Sequence, residues 1–117
     1  MKHVIHVDNS VFFRKLMKTF LSEKGLECES FENGEEAISA VTDGRASFII
    51  TGLELADMTG DEFFKRLMAL PHKIPIIVVT STDVDAKNKR MEALGVKAVI
   101  MKSDDWKAEL GKILRIP

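Results

Sequence analysis

Five short β-rich apolar runs alternate with five amphipathic stretches of helical period along this chain, and no other feature restricts its fold as strongly. The runs are His3–Val7, Leu26–Phe31, Ser47–Thr51, Ile74–Thr80 and Val96–Met101. Between them apolar residues recur at helical spacing. The first stretch carries Phe13, Leu16, Met17, Phe20 and Leu21 after Ser10, a natural N-cap, and Gly25 fits the position just past its end. Asn33-Gly34 makes a turn before a short helix over Glu35–Val41, which Asp43-Gly44 ends. A loop from Gly52 to Gly60 precedes a helix over Asp61–Leu70, stopped by Pro71. Val84–Leu94 forms the fourth helix, closed by Gly95, and Asp104 or Asp105 caps a last one through Trp106, Leu110, Ile113 and Leu114.

Strands that alternate with helices predict an α/β fold with a parallel sheet. Each crossover must cover a face, and crossovers are right-handed. Ile74–Thr80 is continuous and β-branched, as a strand covered on both faces should be. In such sheets the working crevice lies at the carboxyl ends of the strands, where the strand order reverses. That rule points to Asp8-Asn9, Thr51-Gly52-Leu53, Thr80-Ser81 and Lys102-Ser103.

Composition narrows the class. With 117 residues the chain is the size of one domain, so residues 1–117 are read as a single unit. A net charge of -1 gives no electrostatic reason to expect nucleic acid or an anionic membrane as partner. No run reaches the ~18 apolar residues of a membrane span. Met1-Lys2-His3 leads directly into a strand, so no signal peptide is expected and a cytoplasmic protein is the default. The single cysteine, Cys28, reads as a small apolar side chain on a strand.

Several segments, in order and at matching intervals, carry a resemblance. They are His6-Val7-Asp8-Asn9-Ser10, Asn33-Gly34-Glu35-Glu36-Ala37, the run from Phe48 to Gly60, Pro75-Ile76-Ile77-Val78-Val79-Thr80-Ser81, and Lys102. Together they resemble the receiver domains of bacterial response regulators, CheY-like modules, over essentially the whole chain. The resemblance implies a (βα)5 flavodoxin-like three-layer sandwich with strand order 2-1-3-4-5. It also implies that Asp8 and Asn9 fall where two acidic residues help bind a divalent cation. Thr80, with Ser81 beside it, takes the place of the hydroxyl residue that contacts a phosphoryl group. Lys102 takes the place of the lysine that pairs with the acceptor carboxylate.

The departures matter as much as the matches. Counting back from Gly60, the acceptor aspartate falls on Gly52, which has no side chain to attack phosphorus. Asn9 replaces a carboxylate, and magnesium favours charged oxygen donors, so no cofactor is expected and magnesium should bind near Asp8 at roughly millimolar concentration or weaker. Glu54 belongs to the remnant acidic pocket, but it and Asp57 read as solvated loop charges. Val99 stands where the family has a switching aromatic, and Ser103 where it has a proline. A cis bond before a non-proline costs about 2.5–4 kcal/mol, so Lys102–Ser103 should be trans.

Asp8 and Lys102 are expected to pair directly or through water, because a partly buried ammonium needs a counter-charge. Thr80 and Lys102 could also hold an anion. His3 and His6 are three apart on one strand, face opposite ways, and read as core or rim residues. His72 reads as a solvent-facing loop residue. Phe12, Phe13 and Phe20 read as core or interface, and Trp106 either packs internally or serves as an interface residue. The charge run Asp85 to Glu92 reads as a solvated helix face.

The function expected is a non-enzymatic signalling module, a pseudo-receiver. Its partners would be a histidine kinase, an output domain or a second copy, through the face of the fourth helix, fifth strand and fifth helix. The alternative is a phosphorylatable receiver with a non-standard acceptor, or a chain whose acceptor has been altered. A flavodoxin-like cofactor binder would need a hydroxyl- and glycine-rich phosphate loop after the first strand, and Asp8-Asn9-Ser10-Val11-Phe12 is not one.

Overall fold

In the computed structural model, residues 3–44, 46–71, 73–81, 88–103 and 105–115 are described. They form a parallel sheet of β1 (His3–Val7), β2 (Glu27–Phe31), β3 (Phe48–Thr51), β4 (Ile76–Thr80) and β5 (Val96–Met101) in the order β2-β1-β3-β4-β5. The helices are α1 (Val11–Glu23), α2 (Gly34–Thr42), α3 (Gly60–Met68), α4 (Asn88–Ala93) and α5 (Trp106–Leu114). The expected start of the fourth helix at Val84, the candidate cap Asp104, His72 and Asp85 lie outside the described residues.

Two-residue alternation along the strands splits the apolar residues into two cores. Ile5, Val7, Ile49 and Val78 face one way and pack with Phe63, Phe64 and Leu67 of α3 and Ala37, Ile38 and Val41 of α2. Val4, Ile50, Ile77 and Val79 face the other way and pack with Phe13, Met17, Phe20 and Leu21 of α1 and Leu110 and Leu114 of α5. All five residues of β4 are buried, as its unbroken apolar run requires.

The helix starts follow from side-chain caps. Ser10 accepts from the Phe13 N–H, Asn33 from Glu36, and Thr59 from Glu62. Those caps place α2 and α3 one residue earlier than the hydrophobic period alone indicates. α5 differs: Asp105 occupies the N-cap position, but its side chain makes no capping bond. Gly25 and Gly95 lie at φ 79° and 89°, a left-handed turn that only glycine makes without strain after α1 and α4.

The sheet order places the crevice. From β1 the chain turns outward to β2, then returns to lay β3 on the other side of β1, so the strand order reverses between β1 and β3. The register pairs Val7 with Thr51 and Thr80 with Met101. Each strand end therefore delivers its next residue to the same edge: Asp8 and Gly52 side by side, Ser81 and Lys102 beyond them.

Candidate functional site

The cleft at that edge is lined by Asp8, Asn9, Gly52, Leu53, Glu54, Thr80, Ser81 and Lys102 and has a volume of about 90 Å³. All four strand-end groups singled out from the sequence meet here. Backbone bonds hold the walls. Gly52 N–H donates to the Val7 carbonyl at 2.9 Å, and Lys102 N–H donates to the Thr80 carbonyl at 2.7 Å. Thr51 turns its hydroxyl onto the Gly52 carbonyl at 2.9 Å.

Asp8 is the centre of the electrostatics. It is 2% exposed, yet both carboxylate oxygens have partners. Oδ1 accepts from the Ser10 N–H at 2.8 Å, and Oδ2 lies 2.8 Å from the Lys102 ammonium. The expected Asp8–Lys102 pair is therefore direct. Burial of the carboxylate would be very unfavourable without that cation. Arg14 donates to the Asp8 backbone carbonyl at 2.6 Å, which ties the end of β1 to α1.

Lys102 has a second neighbour that spacing could not reveal. Its ammonium lies 4.2 Å from the centre of the Phe13 ring, within range of a cation–π contact. Phe13 in turn packs on Trp106 with ring centres 5.1 Å apart, and Phe20 closes on the same indole at 5.5 Å. Trp106 is thus an internal anchor at the start of α5, 7% exposed. The reason is steric: α1 brings two phenylalanines over the one face of α5 that the indole occupies. Phe12, by contrast, is 70% exposed.

Gly52 lies close beside Asp8 in the floor. A Cβ built there would lie 3.2 Å from Asp8 Oδ2, so the buried carboxylate stands beside the place where a side chain at 52 would begin. Glu54 is exposed at the rim. Val99 is half-buried against the α3 side of the sheet, where it packs with the core and offers no ring to swing. No described peptide bond is cis, Lys102–Ser103 included.

The donors present do not fit a magnesium ion. One Asp8 oxygen is taken by a backbone N–H and the other by an ammonium. Gly52 contributes no side-chain ligand, and among the described residues no three His, Cys, Asp or Glu side chains converge on a point.

The second surprise is Asp57. It is not simply a solvated loop charge: Oδ1 accepts from the Gly34 N–H at 2.7 Å and Oδ2 from the Glu35 N–H at 3.0 Å, capping α2 from a distant loop. Desolvation works against its charge, but these N–H bonds outweigh it and hold its pKa below the ordinary carboxylate value. Arg66 of α3 pairs with Glu35 beside it. The loop after β3, which forms one wall of the cleft, is thereby fastened to α2. An acid this far from its helix in sequence carries no local signature. Asp57→Ala is expected to cost about 1 kcal/mol in urea denaturation, the ordinary value of a helix cap. A change under a few tenths would show the cap to be dispensable.

The histidines divide as their spacing indicates. His3 lies at the rim, with Glu27 at 3.2 Å and Glu29 at 3.0 Å from its two ring nitrogens. His6 is completely buried under the cleft, edge-on to Phe13, and neither ring nitrogen has a hydrogen-bond partner among the described residues. Cys28 is half-buried, and burial pushes its thiol pKa up, which keeps it protonated and unreactive.

Comparison with known proteins agrees with this geometry. A family model described as "Response regulator receiver domain" matches residues 4–113. The chain is 33% identical over 98 residues to a protein-glutamate methylesterase/protein-glutamine glutaminase of Geobacillus kaustophilus, a match covering 82% of this chain and 28% of that protein. It is 27% identical over 81 residues to the DNA-binding transcriptional regulator NtrC of Salmonella typhimurium, covering 68% of this chain and 17% of that one. The chain therefore spans less than a third of the length of these curated relatives. Among solved structures, the chemotaxis response regulator CheY4 of Vibrio cholerae superposes with a TM-score of 0.88 at 26% identity, covering 98% of both chains. A CheY-like receiver from Methanospirillum hungatei superposes with a TM-score of 0.87 at 23% identity, covering 98% of this chain and 92% of that one, and speaks to fold alone.

Proposed function

Because this chain belongs to the response regulator receiver domain family of two-component signalling, we propose that it works as a pseudo-receiver, a module that signals by protein contact without taking a phosphoryl group. One observation carries the reading. The residue at the end of the central strand is Gly52, and the lysine that would face an acceptor is already paired with Asp8 at 2.8 Å. Phosphoryl transfer needs an in-line nucleophile, neutralising charge and aligned donors. Here the nucleophile is missing and the neutralising cation is committed elsewhere.

Residues 1–117 act as one receiver-like unit in this reading. Its partners are other signalling proteins of the same systems: a histidine kinase, an output domain, or a second copy through the face of α4, β5 and α5. We assign the chain no enzymatic activity, no tight metal and no nucleic-acid contact of its own. The esterase and DNA-binding names belong to much longer proteins. Among the described residues no helix is long and apolar enough to cross a membrane, and a cytoplasmic location goes with the reading.

Glu54 favours a second reading, in which an unusual acceptor is used, because among the described residues it is the other carboxylate that lines the cleft. Mass spectrometry after incubation with acetyl phosphate and magnesium separates the two. The natural chain should gain no phosphoryl mass, and a stable adduct on Glu54 or Asp8 would reject the pseudo-receiver. The Gly52→Asp variant is expected to bind magnesium more tightly than the natural chain, since a second carboxylate then stands beside Asp8. Unchanged magnesium affinity, read by titration calorimetry, would mean that Lys102 keeps hold of Asp8 even then.

A further inference from the structure

Gly52 does more than delete a nucleophile; it leaves a polar recess open to solvent at the end of the sheet. We infer that this recess is a seat for a carboxylate side chain that a protein partner supplies, an inference that rests on the reading of the chain as a phosphate-independent contact module.

The recess offers hydrogen-bond donors. An ammonium has three N–H groups. The ammonium lies 2.8 Å from Asp8 Oδ2 as an ion pair, and the Phe13 ring covers another side of the lysine head. The Lys102 side chain is still 21% exposed, which leaves a donor for a group entering the cleft. Asn9 and Ser81 are exposed on its two sides, an amide and a hydroxyl that both donate to oxygen. The negative charge nearest the floor, Asp8, is almost wholly covered and already neutralised.

Among anions, charge and size favour a monoanion over a dianion. Asp8 and Lys102 cancel, and Glu54 adds a negative charge at the rim. A dianion such as phosphate meets that charge twice over, whereas a carboxylate meets it once. A space of about 90 Å³ accepts a carboxylate and a methylene or two, the end of an aspartate or glutamate. Such an anion in isolation should bind weakly, at roughly millimolar concentration, and a partner would supply the remaining affinity through the surrounding surface.

The test is an amide-resolved NMR titration of the whole chain with acetate, acetamide and inorganic phosphate. Acetate should shift the Gly52, Ser81 and Lys102 amides saturably, and acetamide should not. Glu54→Gln, an exposed change that leaves the fold intact, should tighten acetate a few-fold. Lys102→Met should abolish the response, provided its amide spectrum stays dispersed. Equal shifts from acetamide, no change in Glu54→Gln, or phosphate binding ten-fold tighter than acetate would each overturn the carboxylate seat. Mass spectrometry of the same sample after acetyl phosphate treatment keeps the failures apart. No acetate response and no phosphoryl adduct removes this inference alone, whereas an adduct removes the reading beneath it.

Discussion

Replacing Asp8 with alanine should destabilise the chain by about 3 kcal/mol, the largest single effect expected at the cleft. Breaking one partner of a buried ion pair typically costs about 3–5 kcal/mol, because the surviving charge remains in a medium that solvates it poorly. Lys102 is 21% exposed and can turn partly to water, so the lower end of that range applies. The substitution also removes the acceptor for the Ser10 N–H at the start of α1. Urea denaturation gives the number, and the double variant Asp8→Ala/Lys102→Met supplies the control. With neither charge present, most of the loss should be recovered, leaving roughly the capping bond's share of about 1 kcal/mol. If the two single losses simply add, the charges are not coupled, and the account of Asp8 as the counter-ion that fills the acceptor's role is wrong.

The second large effect concerns pH. His6 is lowered from its ordinary value of 6.5 to about 4, first because burial disfavours the imidazolium, with Lys102 and Arg14 adding to this and Asp8 opposing it. The unfolded chain takes up that proton near pH 6.5, whereas the folded chain refuses it until about pH 4. Between those values the unfolded state binds more protons, so stability falls as pH drops and is fully retained above the window. By pH 4 the accumulated loss from this one residue is roughly 3 kcal/mol. His6→Leu removes it, and the stability difference between variant and natural chain should widen as pH falls from 6.5 to 4. At neutral pH the variant should already gain about 1 kcal/mol, since two buried ring nitrogens no longer lack partners. Parallel stability curves for the two proteins across that window would show that His6 does not titrate as described.

Both predictions arise from one small region where α1, β1 and the start of α5 meet. Its parts differ in how far they could be foreseen. The Asp8–Lys102 pair was legible, since a polar strand end holding an acid and another holding a lysine have few other ways to satisfy each other. The placing of Gly52 at the acceptor position rested on the resemblance to receiver domains, carried over by counting eight residues back from Gly60. Strand order came from the resemblance to receiver domains, whereas the edge that holds the cleft followed from the alternation of runs. Trp106 did not follow: its helix and an amphipathic position were clear, but whether the indole met solvent or Phe13 and Phe20 depended on how α1 lay across α5. Asp57 was read as solvated because its partners, Gly34 and Glu35, belong to a helix that only the folded chain brings near.

Period and strand-end chemistry along the chain by themselves determined the element order, the parallel sheet, the two-sided core and the edge where the polar residues gather. These depend on near neighbours and on a two- or 3.6-residue repeat, which a linear sequence displays directly. Only the tertiary structure decided which groups share the interior: His6 with no partner, Lys102 over a ring, Asp57 on a borrowed helix end. The physical reason is that burial and pairing are set by the distance between elements remote in sequence, and no local repeat encodes that distance.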